Sequence, residues 1–268
     1  MKPYTLPPKH RKALWYFAKA PSVPAKLSVV RFFLKRILRD LGFRIKIDDE
    51  LIVSIDAFMI HFVPFWGELI HYKEIFADKV YEQHPMFNPE NCRTIFDCGA
   101  NIGLYTLRAA QNRSAKIYAF EPNPSVFQRL VKNVKANDLS NVTALPLAIG
   151  SINGKTTLTW DSSTLSGKVV KGRQAGQNEV EVEVTTLDRI SEMYHVTSID
   201  ILKLDVEGQE HEALKGGTQT LKKTKKLVLE YHNDKVRAEC ESFLKEAGFD
   251  KVMEIPGHQY YINANVPE

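Results

Sequence analysis

Apolar residues recur at helical spacing over residues 25–41. Leu27, Val30, Leu34, Ile37, Leu38 and Leu41 form one stripe, while Arg31, Lys35, Arg36 and Arg39 fall largely on other faces. Phe32 and Phe33 add to the apolar side, and Gly42 stands where a helix ends well on glycine. Residues 44–47 and 52–55 alternate as short strands do, around a turn at Asp48-Asp49-Glu50. Residues 68–83 return to helical spacing, with Leu69, Tyr72, Ile75, Phe76 and Val80 on one side. From Arg93 onward strand and helix patterns alternate, which predicts an α/β fold with a doubly wound, mostly parallel, Rossmann-like sheet. Strands are expected over 94–98, 116–121, 142–148, 201–205 and 227–231, closed by an antiparallel pair near 251–255 and 259–262. Helices are expected near 102–112, 124–136, 211–215 and 235–247, with Pro124 in a first turn, where its missing N–H costs nothing. Residues 150–186 are rich in Gly, Ser and Thr, carry strand-like pieces at 156–160 and 179–185, and are expected to be the most mobile segment. The chain thus divides into an irregular basic arm (1–24), an N-terminal α+β extension (25–90) and the sheet domain (91–268).

The first strand of that domain reaches a carboxylate and breaks into a glycine turn, Asp97-Cys98-Gly99-Ala100-Asn101-Ile102-Gly103, and the second ends in Glu121. In sheets of this build ligands lie beyond the carboxyl ends of the strands, and an acid ending the second strand is placed to accept hydrogen bonds from ribose hydroxyls. A dinucleotide pyrophosphate needs three glycines so that bare amides can approach it, and it repels nearby carboxylates. Here Ala100 and Asn101 carry side chains where a phosphate would need space, and Asp97 precedes the first glycine by two residues. A carboxylate there suits a ligand with an ammonium group and no phosphate, and S-adenosylmethionine is such a ligand.

Further acids meet this rim. The run Lys203-Leu204-Asp205-Val206-Glu207 sets Asp205 and Glu207 at the end of one neighbouring strand, and Glu230-Tyr231-His232 ends the next. Ionisable groups that converge on a rim point to proton transfer or substrate positioning. Methyl transfer is an in-line displacement, so the acceptor must be aligned and, if it is a hydroxyl, its proton needs a destination. His232 has the unperturbed pKa of a base near neutrality. Glu207 and Glu230 are candidates as well, or bind sugar hydroxyls. Asp205 and Glu207 without a third close ligand are weak grounds for a metal, and His61, His71 and His84 have no ligand spacing, so no metal is expected.

Composition adds a location and a partner surface. With 44% hydrophobic and 25% charged residues in 268, the chain is an ordinary globular protein. Cys92, Cys98 and Cys240 have no CxxC spacing, no apolar run is long enough to span a bilayer, and the N-terminus has no apolar core or cleavage site of a secretory signal, so a cytoplasmic protein is expected. The net charge of +4 is uneven: twelve Lys and Arg crowd the first 47 residues against a single acid before Asp48, Asp40. Such an end meets an anionic surface, lipid headgroups or nucleic acid. Two readings fit the helix over 25–41: packing on the sheet domain with a solvated basic face, or lying in a membrane interface as a peripheral anchor.

The runs Phe96-Asp97-Cys98-Gly99-Ala100-Asn101-Ile102-Gly103-Leu104-Tyr105-Thr106, Phe120-Glu121-Pro122-Asn123-Pro124, Thr186-Leu187-Asp188 and Leu202-Lys203-Leu204-Asp205-Val206-Glu207-Gly208-Gln209-Glu210, in that order, resemble the FkbM-type S-adenosylmethionine-dependent methyltransferases over roughly residues 94–249. The resemblance implies a class I methyltransferase fold, S-adenosyl-L-methionine as cofactor, and most often O-methylation of a hydroxyl on a sugar, glycolipid or polyketide-like small-molecule acceptor. It also implies that Asp97, Gly99, Asn101, Gly103 and Glu121 contact the cofactor. Many class I enzymes place an acid after the third strand for the adenine amine. This chain has Leu147-Ala148-Ile149-Gly150 there, so contact around Ala148 would rely on backbone and apolar packing.

Other activities were weighed. An RNA ribose 2'-O-methyltransferase shares the Asp and Glu of these two strands but needs two lysines at the site, which the sequence does not place. A base-amine methyltransferase would show an Asn-Pro-Pro-Tyr-type run, which is missing here. A binding module that kept the cofactor fold without chemistry is disfavoured by Asp205, Glu207, Glu230 and His232, though fold alone never proves activity.

Overall fold

The computed structural model describes residues 18–20, 22–44, 50–55, 57–62, 66–160, 167–170 and 179–267. The chain forms two compact units, Met1–Lys79 with Lys132–Asp138, and Val80–Val131 with Leu139–Glu268.

In the first unit, helix α1 (Val23–Asp40) begins where the Ser22 hydroxyl accepts a hydrogen bond from the Ala25 amide, and ends just before Gly42, which takes φ +95°. Its inward residues are Ala25, Val29 and Phe32. Of the two readings of this helix, the packing one turns the stripe from Leu27 to Leu41 inward; the stripe points outward, its six members 40–69% exposed. The small side chains of Ala25 and Val29 let the helix approach strand β1 (Leu51–Ile55), and Phe32, expected on the other stripe with Phe33, fills the space left. Strand β1 pairs antiparallel with β2 (Phe58–Phe62). Residues 45–49 and most of the arm over 1–24 lie outside the described residues. Helix α2 (Trp66–Tyr72) runs into a single π turn, Lys73–Ala77, where Tyr72 stacks on Phe76. The chain then reaches Lys79 at φ +53°, which is why the helix expected to continue to residue 83 stops.

The second unit follows the alternation read from Arg93 onward. It contains β3 (Thr94–Cys98), α3 (Leu104–Ala109), β4 (Lys116–Phe120), α4 (Pro124–Ala136, whose last turn is counted with the first unit) and β5 (Val142–Leu145). Then come β6 (Ala148–Ile149), β7 (Gly154–Trp160), β8 (Gly167–Val170), β9 (Glu179–Thr185), α5 (Leu187–Met193) and β10 (Ile199–Leu204). The unit closes with α6 (Glu210–Lys215), α7 (Thr218–Leu221), β11 (Thr224–Glu230), α8 (Asp234–Glu246), β12 (Phe249–Ile255) and β13 (His258–Asn263). Seven strands form the main sheet in the order β12-β13-β11-β10-β3-β4-β5, parallel from β11 to β5, with β13 antiparallel to both its neighbours. The chain therefore changes direction across the sheet between β3 and β10, and a crevice at the carboxyl ends opens at such a switch point.

Alternation along the strands divides the sheet's two faces. Phe96, Cys98, Leu202, Leu204, Leu227 and Leu229 enter one core with Leu187, Leu214 and Leu244, which leaves Asp97 and Lys203 on the opposite face. Helices α5 and α7 were not expected; α5 is announced only by Thr186, whose hydroxyl caps the Arg189 amide. The segment over 150–186 contributes a second sheet, β6-β9-β7-β8, and its residues 161–166 and 171–178 lie outside the described residues. Buried Arg108 on α3 pairs with Glu82 at 2.8 Å and Glu90 at 3.4 Å, fastening residues 80–90 to the sheet unit. No helix of the described residues is long and apolar enough to cross a membrane.

Candidate active site

The crevice is assembled from the ends of β3, β4, β10 and β11. Gly99 takes φ +80°, and a Cβ built on it would lie 1.7 Å from the backbone oxygen of Asp205, so the turn after β3 can meet the turn after β10 only as glycine. Gly103, at φ +88°, would drive a Cβ to 2.5 Å from Leu130. Between them Asn101 also sits left-handed at φ +52°, a conformation its short polar side chain tolerates, and its amide donates to Glu121 Oε2 at 3.0 Å. The Asn123 amide donates to the other carboxylate oxygen, Oε1, at 2.8 Å. Burial nevertheless pushes the Glu121 carboxyl up to about 7, against those two hydrogen bonds.

Asp97 is fully enclosed. Its Oδ2 accepts from the Thr106 hydroxyl at 2.6 Å, and Lys203 Nζ lies 3.1 Å from Oδ1. The strand register sets Lys203 directly beside Asp97. The same ammonium donates to the Gly99 carbonyl at 2.9 Å and lies 3.5 Å from Asp205 Oδ2. Burial alone would discharge Lys203, but Asp97 and Asp205 hold it as a cation. Asp97 therefore presents no open carboxylate to a ligand's ammonium, contrary to the expectation from its place before Gly99.

On the far side of Lys203 the acids are partly open. Tyr81 lies over the Lys203 ammonium and donates its hydroxyl to Glu230 Oε2 at 2.5 Å, with Asp205 Oδ2 at 3.3 Å. His258 Nε2 is 3.3 Å from the same Glu230 oxygen. Burial would raise the Glu230 carboxyl, yet His258 and Tyr81 hold it below its usual range, while burial with Glu230 and Glu207 nearby raises Asp205 against Lys203 and His232. His232 Nε2 faces Asp205 at 3.7 Å and Glu207 at 3.4 Å, and its Nδ1 lies 3.3 Å from Glu210, a fully buried carboxylate that also accepts the Val206 and Gly208 amides. Burial would lower the imidazole, but Glu210, Asp205 and Glu207 raise it to about 9. That shift favours the protonated ring at neutral pH and so weighs against the expected role of His232 as the base. The ligand atoms of Asp205, Glu207 and His232 lie within 4.8 Å of one another, so the fold supplies beside the two acids a third group that their spacing along the chain did not show.

Asp97, Gly99, Asn101, Gly103 and Glu121 thus come together with Asp205, Glu207, Glu230 and His232 at one crevice. Ala148 starts β6 and packs with Leu158 and Val182 within the second sheet. Sequence reasoning missed Lys203, Tyr81 and His258. Lys203 was legible, because period-two alternation puts it on the same strand face as Asp205. Tyr81 and His258 had no local signal.

A family model described as the methyltransferase FkbM domain matches residues 97–251, more than half of the chain. Among known proteins, the methyltransferase sdnD of Sordaria araneosa is 34% identical over 212 residues, which cover 67% of this chain and 81% of that protein. The hexuronic acid methyltransferase AglP of Haloferax volcanii is 29% identical, covering 57% of this chain and 62% of that one. The 2-O-methyltransferase NoeI of Sinorhizobium fredii is 27% identical, covering 53% of this chain and 64% of its own length. The order of motifs, the sheet that places them on one crevice and the extent of the family match agree that this chain belongs to the FkbM family of S-adenosylmethionine-dependent methyltransferases.

Proposed function

We propose that this enzyme O-methylates a hydroxyl on a sugar, glycolipid or related small-molecule acceptor, with Asp205 receiving the hydroxyl proton. The observation that carries the reading is Asp205 itself: a partly open carboxylate with a raised pKa, set between the Lys203 and His232 cations beside the glycine turn. A base works best when its pKa lies near the working pH, and Asp205 meets that condition better than Glu230, which is lowered. Lys203 and His232 keep the acid in place, while Glu207, paired with His232, and Glu230, paired with Tyr81 and His258, flank it as candidates to meet acceptor hydroxyls.

The crevice suits the cofactor on its own chemistry. Each Glu121 oxygen accepts one amide and keeps a lone pair, so a pair of neutral hydroxyls offsets the cost of burying it. The turn over 99–103 adjoins that carboxylate through Asn101. Ala148 and its neighbours are assigned to the adenine side by position along the chain. S-adenosylmethionine, when bound, supplies a methyl group on a sulfonium. Two relatives are named for a hexuronic acid methyltransferase and a 2-O-methyltransferase, which supports a glycan-type acceptor. The RNA ribose reading needs two lysines free to serve the reaction, and Lys203 is already engaged by Asp97 and Gly99. Free buried thiols at Cys92, Cys98 and Cys240 suit a cytoplasmic setting.

The test is turnover on a panel of glycan, glycolipid and RNA acceptors together with Asp205→Asn. This variant is expected to lose about 10²–10⁴ in kcat while calorimetry finds cofactor affinity nearly unchanged. Normal turnover in the variant, or transfer to RNA ribose in preference to glycans, overturns the proposal.

A further inference from the structure

Helix α1 has two apolar faces, and the wider one is turned to solvent. At about 100° per residue, Leu27, Val30, Leu34, Ile37, Leu38 and Leu41 fall in a sector of roughly 100°, opposite Ala25, Val29 and Phe32. Isolated exposed leucines need no explanation, but a continuous apolar stripe along a helix marks a surface that something covers. We infer that this outward face docks on an anionic lipid surface.

Charge and placement select that occupant. Lys26 and Arg31 border the stripe on its two edges, where long cationic side chains can lay their stems along acyl chains and hold their charges at headgroup level. Lys35 lies just beyond Arg31, while Arg36 and Arg39 fall on the side away from the stripe, and Asp40 is the one acid of the helix. The spacing of Leu27, Val30, Leu34, Ile37 and Leu41 would also suit a seam with a second copy of the chain. In a parallel pair, however, Lys26 and Arg31 would face each other across that seam, and like charges there oppose pairing. An anionic bilayer satisfies both the apolar stripe and its cationic borders. The helix cannot cross the bilayer, so contact is peripheral.

The experiment is co-sedimentation of the full chain with vesicles of phosphatidylcholine, with and without phosphatidylglycerol. Leu34→Glu/Ile37→Glu removes apolar insertion and Lys26→Gln/Arg31→Gln removes the bordering charge, with melting temperatures and turnover on a soluble acceptor recorded alongside. The wild type is expected to sediment with the anionic vesicles only, and each double variant to lose about tenfold in partitioning while its melting temperature holds. The inference fails if the wild type ignores anionic vesicles, or if the stripe variant binds them equally well. It also fails if light scattering finds a dimer that the stripe variant dissociates, or if RNA displaces the vesicles without regard to the stripe. Turnover on the soluble acceptor is independent of all these outcomes, so loss of vesicle binding and failure of the acceptor assignment are separately visible.

Discussion

The two halves of the crevice are held by partners of different reach. Glu121 accepts amides from Asn101 and Asn123, and Asp97 accepts the Thr106 hydroxyl, all within 20 residues along the chain. Asp205 and Glu230 instead meet Tyr81, which is 124 and 149 residues away, and Glu230 also meets His258 from the closing hairpin. The half proposed for the cofactor is thus shaped by its own loops. The half proposed for the acceptor depends on how residues 80–90 are fastened, which Arg108 does through Glu82 and Glu90. Lys203 belongs to both halves.

Removing that shared cation is expected to have the largest effect. Lys203→Met leaves Asp97 buried and unpaired, which costs about 3–5 kcal/mol of folding stability, measurable by denaturant unfolding. A loss below about 1 kcal/mol would mean that the halves stand without it. Next comes Glu121→Gln, which should weaken cofactor binding about tenfold or more by calorimetry, because charge-assisted hydrogen bonds are lost. It also isolates a pH effect. The folded-state carboxyl, raised from 4.5 to about 7, contributes stability at low pH that is lost as pH rises through 7, on the order of 3 kcal/mol. Melting curves across that range should fall for the wild type relative to the variant; parallel curves would remove the raised pKa from the account.

The smallest effect is expected at His232. As a cation beside Asp205 it lowers that carboxyl, so His232→Gln should move the acid limb of the kcat/KM profile to higher pH with a fall in kcat of less than about tenfold. Disappearance of the limb with a much larger loss would return the base to His232.

The sheet was legible because its strands alternate and end in acids, and Asp97, Glu121, Asp205 and Glu230 stand at those ends. Lys203 was equally local, but a lysine in a strand reads as surface until its register beside Asp97 is known. Tyr81 and His258 reach Glu230 from the two flanks of the sheet domain, and no spacing along the chain carries that information. In α1 the period was right and the direction was not. A helix with two apolar stripes does not say which is inward, and here the narrow one with Ala25 and Val29 permits the closer approach.

The missing side chain at Gly99 also limits how enzymes of this build can diverge. Any substituent there strikes the backbone of Asp205, so the loop proposed to hold the cofactor cannot drift without dragging the acid proposed to take the acceptor's proton. Heritable change at the crevice floor is thereby coupled: a shift of the glycine turn is one that the turn after β10 must share.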